Sequence, residues 1–336
     1  MGKIRFAVTG YGHIGKRHAT MIQQNAACEL VAVIDTNSQV SNDVPAGVSF
    51  FDSIEEYIDS DLQADVIVIA TPNGWHARQA IAAIESGHHV VVEKPMGLHK
   101  LECEDLIKSA TKENKHLFCV MQNRYSPPSQ WLKQIVSENL LGDIYVAQVS
   151  CYWNRDERYY KPGSWHGTKE WDGGTLFTQF SHFIDLLYWV FGDITDIKAN
   201  FSSFNHQNIT EFEDSGVVNF RFVNGGMGCI NFSTSVWDKN LESSMTIIGQ
   251  KGSVKIGGQY MDKIEYCHID DYIMPELKAT NPPNDYGAYK GSAANHHYVI
   301  QNVVDVINNG AAITTSASEG MKVVDIIERI YQSKTK

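Results

Sequence analysis

The chain has 336 residues, of which 43% are hydrophobic and 20% charged, and a formal net charge of -11. That length argues for two domains with a sizeable core, and the acidic balance argues against a nucleic-acid partner, which requires clustered Lys and Arg to displace counterions. No window approaches the run of about 20 apolar residues needed for a membrane span, and the start, Met1 to Val8, lacks the apolar core of a signal peptide, so the expectation is a cytoplasmic protein without a membrane partner.

In chain order, Ile4–Thr9, Leu30–Ile34, Val66–Ala70, His89–Val92 and Leu117–Val120 are short β-branched runs separated by helical stretches. This rhythm predicts a doubly wound parallel sheet, its strands buried on both faces. Ser53 and Glu56 stand at capping-box spacing, and Pro72 and Pro95 follow strands directly. Beyond Arg124 the pattern changes, with Pro127 and Pro128 at the break. The longer alternating segments Ile144–Tyr152, Ile194–Phe204, Gly216–Phe222, Gly228–Ser235 and Ser244–Ile248 predict a large, mostly antiparallel sheet. A buried helix is expected over Thr175–Phe191, a long loop over Asp270–Gly291, and final helices over Ala293–Asn308 and Ser318–Ser333, the second opened by Ser316 and Glu319 at capping-box spacing. The predicted class is α/β, a Rossmann-type domain over 1–122 followed by an α+β domain over 123–336. The C-terminal helices are free to pack back on the first domain. Cys28, Cys103, Cys119, Cys151, Cys229 and Cys267 lie far apart without a C-x-x-C pair, so neither a zinc site nor a disulfide framework is suggested. The histidines, His296 and His297 included, show no metal-ligand spacing, and no metal is expected.

Gly10-Tyr11-Gly12-His13-Ile14-Gly15 follows the first strand and opens the first helix. Gly10 permits a tight turn, Gly12 lets the backbone approach a pyrophosphate, and Gly15 lets helix and strand pack closely, while the helix N-terminus offers amides to an anion. Asp35 closes the second strand, where a carboxylate accepts hydrogen bonds from the adenosine ribose. A carboxylate there with no Arg close behind it repels a 2′-phosphate, so NAD is favoured over NADP, although Lys16 and Arg17 weigh the other way.

The strand His89–Val92 delivers Glu93-Lys94-Pro95 to the carboxyl edge of the sheet, where a nicotinamide is expected. An ammonium there stabilises a developing alkoxide or donates to a carbonyl. The blander reading is a lysine paired with Glu93. Together with Gly10–Gly15 and Asp35, the segments Thr71-Pro72-Asn73 with His76, Glu93-Lys94-Pro95, and Gly173-Gly174 before His182 and Asp185 resemble the glucose–fructose oxidoreductase and inositol dehydrogenase family over nearly the whole chain. The resemblance implies a dehydrogenase of CH–OH groups that assembles as a homodimer or homotetramer through its sheet domain. It also implies that Lys94 touches the reacting oxygen and His182 exchanges the hydroxyl proton, and that these two residues, one from each domain, converge on one carbon. Thr71, Asn73, His76, Glu93, Gln122 and Trp165 would join Gly10, Gly12, His13, Ile14, Gly15 and Asp35 around the cofactor. Without the lysine motif, His182 reads as a hydrogen-bonded core residue. Several relatives carry an aspartate four residues before this histidine. Here that position is Thr178, which shifts attention to Thr178 and Gln179 as neutral donors to substrate.

Trp153–Tyr160 and Ser164–Thr168 combine aromatic rings, which stack on sugars, with arginines, which grip carboxylate or phosphate. Arg155, Arg158 and Tyr160 are therefore candidate substrate residues, with Arg124 as a third positive group. The alternative is that Arg155 and Arg158 pair with Asp156 and Glu157 on an exposed loop. The basic, aromatic loop beside a neutral Thr178 is similar to family members that oxidise the 3-hydroxyl of UDP-N-acetylglucosaminuronic acid in surface-polysaccharide synthesis. Rival readings are a dehydrogenase of free polyols or aldoses, an NAD-retaining glycosidase, and a non-catalytic NAD or sugar sensor.

Overall fold

The computed structural model describes residues 2–287 and 289–334, so Ala288, within the expected loop, lies outside the described residues. The chain forms two compact units. One runs to Met121 and takes in His296–Val324, and the other comprises Gln122–Asn295 and the residues from Asp325 onward.

The first unit begins β1 (Ile4–Thr9), α1 (His13–Gln24), β2 (Cys28–Ile34), β3 (Ser49–Phe51), α2 (Ile54–Ile58), β4 (Val66–Ile69), α3 (His76–Glu85), β5 (His89–Val92), α4 (Lys100–Lys112) and β6 (Leu117–Cys119). Its strands make one parallel sheet in the order β3-β2-β1-β4-β5-β6. This is the doubly wound order, with its reversal between β1 and β4, where ligands bind at the carboxyl ends of the strands. The apolar runs of β4, β5 and β6 are almost wholly buried, because helices cover both faces of such a sheet. Ser53 caps α2 by accepting the Glu56 N–H at 3.1 Å, and the Glu56 carboxylate accepts the Asp52 N–H at 2.8 Å. The three-residue β3 was not anticipated, being too short to show a period.

The second unit holds α5 (Pro127–Ser137), β7 (Ile144–Tyr152), α6 (Thr175–Thr178), α7 (Ser181–Phe191), β8 (Ile194–Ser202), β9 (Ser215–Phe222), β10 (Met227–Ser233), β11 (Glu242–Gly249), β12 (Gly252–Gly257), β13 (Lys263–Ile269), β14 (Pro283–Asp285) and β15 (Lys290–Ala293). Pro127 and Pro128 sit in the first turn of α5, where no backbone donor is required. The seven-stranded sheet runs β13-β12-β11-β7-β10-β9-β8, antiparallel except between β7 and β10. Phe180 and Phe183 pack on Trp153, and Phe180 also on Phe232, which seats α7 on one sheet face.

Three expectations are corrected here. The single helix over Thr175–Phe191 is broken at Gln179 and Phe180 into α6 and α7. The expected loop contains the hairpin β14–β15. Strands β12 and β13 were missed, since β12 is bounded by glycines and β13 is an edge strand with an irregular exposure pattern. The last two helices are α8 (His296–Asn309) and α9 (Ala317–Gln332). Within the first unit α8 packs on α1 and buries Val299, Ile300, Val303 and Val304. Ser316 and Glu319 close a capping box at 3.4 and 3.3 Å. No helix among the described residues is long and apolar enough to cross a membrane.

Candidate active site

In the first unit the turn from β1 to α1 is shaped by two steric demands. Gly10 has φ +85, and a Cβ on it would lie 2.5 Å from the Ala70 carbonyl oxygen, while a Cβ on Gly15 would lie 1.8 Å from the Gly10 carbonyl oxygen. Gly12 is the opposite case, with nothing within 4 Å of where its Cβ would stand. That clear space fronts the first turn of α1, which no side chain caps. Uncapped amides behind open space suit a pyrophosphate. His13, exposed, and Ile14, half-buried, are the first residues of that helix. Asp35 accepts the Tyr11 N–H at 2.6 Å and the Asn37 N–H at 2.8 Å, which fixes its carboxylate beside the turn and leaves lone pairs for ribose hydroxyls. Lys16, one of the two cations weighing toward NADP, is paired with Asp43.

At the ends of β4 and β5 the Thr71 hydroxyl donates to Gln79 at 2.6 Å, and Asn73 is buried at the head of a 3-10 turn. His76 is fully enclosed, its ring nitrogens each 2.7 Å from a carbonyl oxygen, that of Thr71 and that of Pro95. Burial pushes the His76 imidazole below the ordinary histidine range. Lys94 is half-buried and precedes a cis bond to Pro95. The Glu93 carboxylate is buried and turned inward. One oxygen lies 2.8 Å from Nε2 of His18 and 3.5 Å from Nε2 of His296, and the other accepts the Lys94 backbone N–H at 3.1 Å. The two imidazoles hold it well below the usual carboxylate range against the opposing effect of burial.

In the second unit His182 occupies the first turn of α7 and is 2% exposed. Asp185, one turn on, takes Arg124 bidentately, with Nε to Oδ2 at 2.9 Å and Nη2 to Oδ1 at 2.5 Å. Both side chains are buried. Arg124 is therefore neutralised within its own unit, which corrects its expected part as a free positive group. Arg158 lies at the surface and pairs with Asp156, as the ion-pair alternative had it, and also with Asp238. Tyr160 is likewise corrected, being packed in the interior against His206 and Phe212. The Thr178 hydroxyl donates to the Asp172 carboxylate and, at 3.0 Å, to its carbonyl oxygen, so a carboxylate does stand beside this position. Trp165 is half-buried and stacked on His166. Gln122 is buried, its amide 3.4 Å from the Ser292 hydroxyl and its Oε1 without a hydrogen-bond partner.

Arg155 differs from its neighbours. It is 2% exposed, and among the described residues its guanidinium donates only to neutral oxygens: Gln179 at 2.7 Å, the Asn154 carbonyl at 2.6 Å, Asn240 at 3.2 Å and the Lys290 carbonyl at 3.1 Å. Trp153, Tyr159 and Tyr289 surround it with ring faces at 4.7, 5.3 and 5.0 Å. Gln179 in turn donates to the Tyr159 hydroxyl at 2.8 Å. Sequence reasoning missed His18, His296, Asp172 and Tyr289. None carries a local signal, because each acquires its partner through the fold.

A model of an oxidoreductase family with an NAD-binding Rossmann fold matches residues 4–121, and a model of the GFO/IDH/MocA C-terminal domain matches residues 129–255. The chain belongs to the Gfo/Idh/MocA oxidoreductase family. This Gfo/Idh/MocA chain is similar to the WlbA dehydrogenase of Bordetella pertussis, solved with NADH and UDP-GlcNAcA, at 32% identity and a TM-score of 0.86, covering 98% of this chain and 96% of that one. It is similar to the Chromobacterium violaceum WlbA dehydrogenase, also solved with NADH and UDP-GlcNAcA, at 32% identity and a TM-score of 0.86, covering 99% and 94%. Among curated relatives, the scyllo-inositol 2-dehydrogenase (NADP(+)) of Bacillus subtilis is 24% identical over 98% of this chain and 93% of its own. The protein is accordingly an NAD-binding dehydrogenase of CH–OH groups.

Proposed function

We propose that this dehydrogenase oxidises the 3-hydroxyl of an acidic nucleotide sugar, UDP-N-acetylglucosaminuronic acid, in surface-polysaccharide synthesis. The observation that carries the substrate class is the charge of Arg155, buried among neutral acceptors and aromatic rings. A buried guanidinium without a carboxylate is costly, and a uronate or diphosphate group offsets that cost. The likeness to two WlbA dehydrogenases solved with this nucleotide sugar supports the same reading. Bound NAD supplies the hydride acceptor. Lys94 donates a hydrogen bond to the substrate oxygen as carbonyl character develops, and His182 takes the hydroxyl proton. The cofactor is bordered by Gly10, Gly12, His13, Ile14, Gly15, Asp35, Thr71, Asn73, His76, Gln122 and Trp165. The carboxamide of Gln179 keeps Arg155 aimed.

Lys94→Met and His182→Asn each abolish reduction of NAD while leaving NADH binding and the melting temperature near wild type. Near-normal turnover in either overturns its assigned role. Arg155→Ala raises KM for the acidic sugar about tenfold or more and spares a neutral one; equal effects on both overturn the acidic-substrate reading. A second reading, oxidation of a free polyol or aldose, is favoured by the pairing of Arg124 and Arg158 with carboxylates of the same unit, and a panel of free and nucleotide-linked sugars decides between them. The exposed apolar side chains Val217, Met227, Ile248 and Tyr266 on strands of the second unit's sheet support assembly into a homodimer or homotetramer, and six unlinked cysteines suit the cytoplasm.

A further inference from the structure

We infer that Glu93 is the hub of a buried anchor, His18–Glu93–His296, which fixes the Lys94 backbone and through it the direction of the lysine amine. The inference rests on the proposed role of Lys94. Its geometry lies wholly within the first unit. His18 comes from α1, one turn beyond Gly15, Glu93 from the end of β5, and His296 from the first residue of α8. The three residues His18, Glu93 and His296 are 0%, 5% and 1% exposed. An ionised carboxylate only accepts, so Nε2–H of His18 donates to Oε1 at 2.8 Å, and Nε2 of His296 faces the same oxygen at 3.5 Å. Nδ1 of both rings is buried without a hydrogen-bond partner. For His18 this suits a ring that presents its Nε2–H to the carboxylate, since a bare lone pair is less costly to bury than an unpaired N–H; Nε2 of His296 stands against the same oxygen without a hydrogen bond. The two rings meet edge to face at 5.3 Å, which holds them together on one side of the carboxylate.

The other carboxylate oxygen accepts the Lys94 N–H. One residue further on, the Pro95 carbonyl lies 2.7 Å from Nδ1 of His76 and the Thr71 carbonyl 2.7 Å from its Nε2, and the neutral ring donates to one of the two. Lys94 is thus gripped on both sides of its own Cα by buried polar groups, and neither grip uses its amine. A catalytic group held in this way loses little orientation between turnovers, and orientation is worth orders of magnitude in rate.

The ligand atoms of His18, Glu93 and His296 lie within 4.8 Å of one another, the spacing at which a metal ion has to be considered. The 2.8 Å separation argues for a shared proton. Two ligands on a tetrahedral ion with bonds of about 2.0–2.1 Å stand about 3.3 Å apart, and the imidazole hydrogen occupies the space an ion would need.

The test uses the full chain with NAD and its sugar substrate, comparing Glu93→Gln, His18→Ala, His18→Gln, His296→Ala and the double variant His18→Ala/Glu93→Gln. Glu93→Gln and the alanine variants lower kcat about tenfold or more, with KM and the NADH Kd within about threefold of wild type. His18→Gln, which restores a donor near the place of Nε2, recovers most of the loss. The double variant falls no further than the worse single one, because both act through one carboxylate. Normal kcat in folded, NADH-binding Glu93→Gln and His18→Ala overturns the anchor, as do additive losses, or a stoichiometric divalent metal retained after dialysis. Should Glu93→Gln fail to fold, the His18→Ala and His18→Gln pair answers the same question. Lys94→Met separates the two levels: turnover surviving in it sinks the role of Lys94, whereas turnover lost in it but kept in the anchor variants sinks only the anchor.

Discussion

Arg124 and Asp185 show how far a residue's meaning depends on its partner. The pair is bidentate and almost without exposure, so removing one member leaves a buried charge rather than a missing contact. Asp185→Asn is expected to cost about 3–5 kcal/mol in urea denaturation, and replacing both residues by apolar ones of similar volume to recover most of it. From the sequence Arg124 is simply a cation past the fifth strand, because nothing local announces a carboxylate 61 positions away. Glu213 yields a pH prediction of the same kind. Its carboxyl, pushed by burial up to about 7, accepts from the Tyr331 hydroxyl at 2.7 Å, while the Thr175 hydroxyl donates to its carbonyl at 2.6 Å. The unfolded value lies near 4.5. A raised carboxyl favours the folded state while protonated, so its contribution is complete below the unfolded value and is lost as pH climbs through the folded one. Wild type minus Glu213→Gln should therefore lose roughly 1–3 kcal/mol of stability between pH 4.5 and 8, and a flat difference would remove Glu213 as the titrating group.

Among the elements, the turn between β1 and α1 separates steric from functional glycines. Gly15→Ala sets a methyl against the Gly10 carbonyl and should lower the melting temperature by several degrees, about 1–3 kcal/mol. Gly12→Ala meets no protein atom. It should leave the melting temperature almost unchanged while weakening NADH binding about tenfold or more, because the methyl enters the space proposed for the pyrophosphate. Strand, glycines and acid were readable in the sequence because their register is local, as was the delivery of Lys94 by β5. The break between α6 and α7 was not readable, since apolar residues recur at helical spacing on both sides of Gln179. What marks the break is the commitment of the Gln179 amide to Arg155 and Tyr159, a tertiary cause. Thr178 was read as a neutral donor facing substrate, and its hydroxyl is engaged by Asp172.

At the scale of the whole molecule, the first unit is discontinuous. It is left at Met121 and resumed at His296, and the residues flanking the excursion meet, the Asn295 amide donating to the Gln122 carbonyl at 3.2 Å. Residues 1–121 alone lack α8, whose apolar face covers α1, and also lack the His296 imidazole. That fragment should show no cooperative thermal transition by circular dichroism, whereas the same fragment joined after Met121 through a short Gly-Ser linker to His296–Val324 should melt cooperatively and bind NADH. The alternating strands revealed two domains but not which of them the last helices complete, because an amphipathic helix does not name the surface it covers. During synthesis the same arrangement imposes an order of events. The parallel sheet is translated ahead of α8 and waits, with α1 uncovered, while everything up to Asn295 is made. The nascent enzyme thus leaves an apolar surface open to chaperones until α8 arrives to close it.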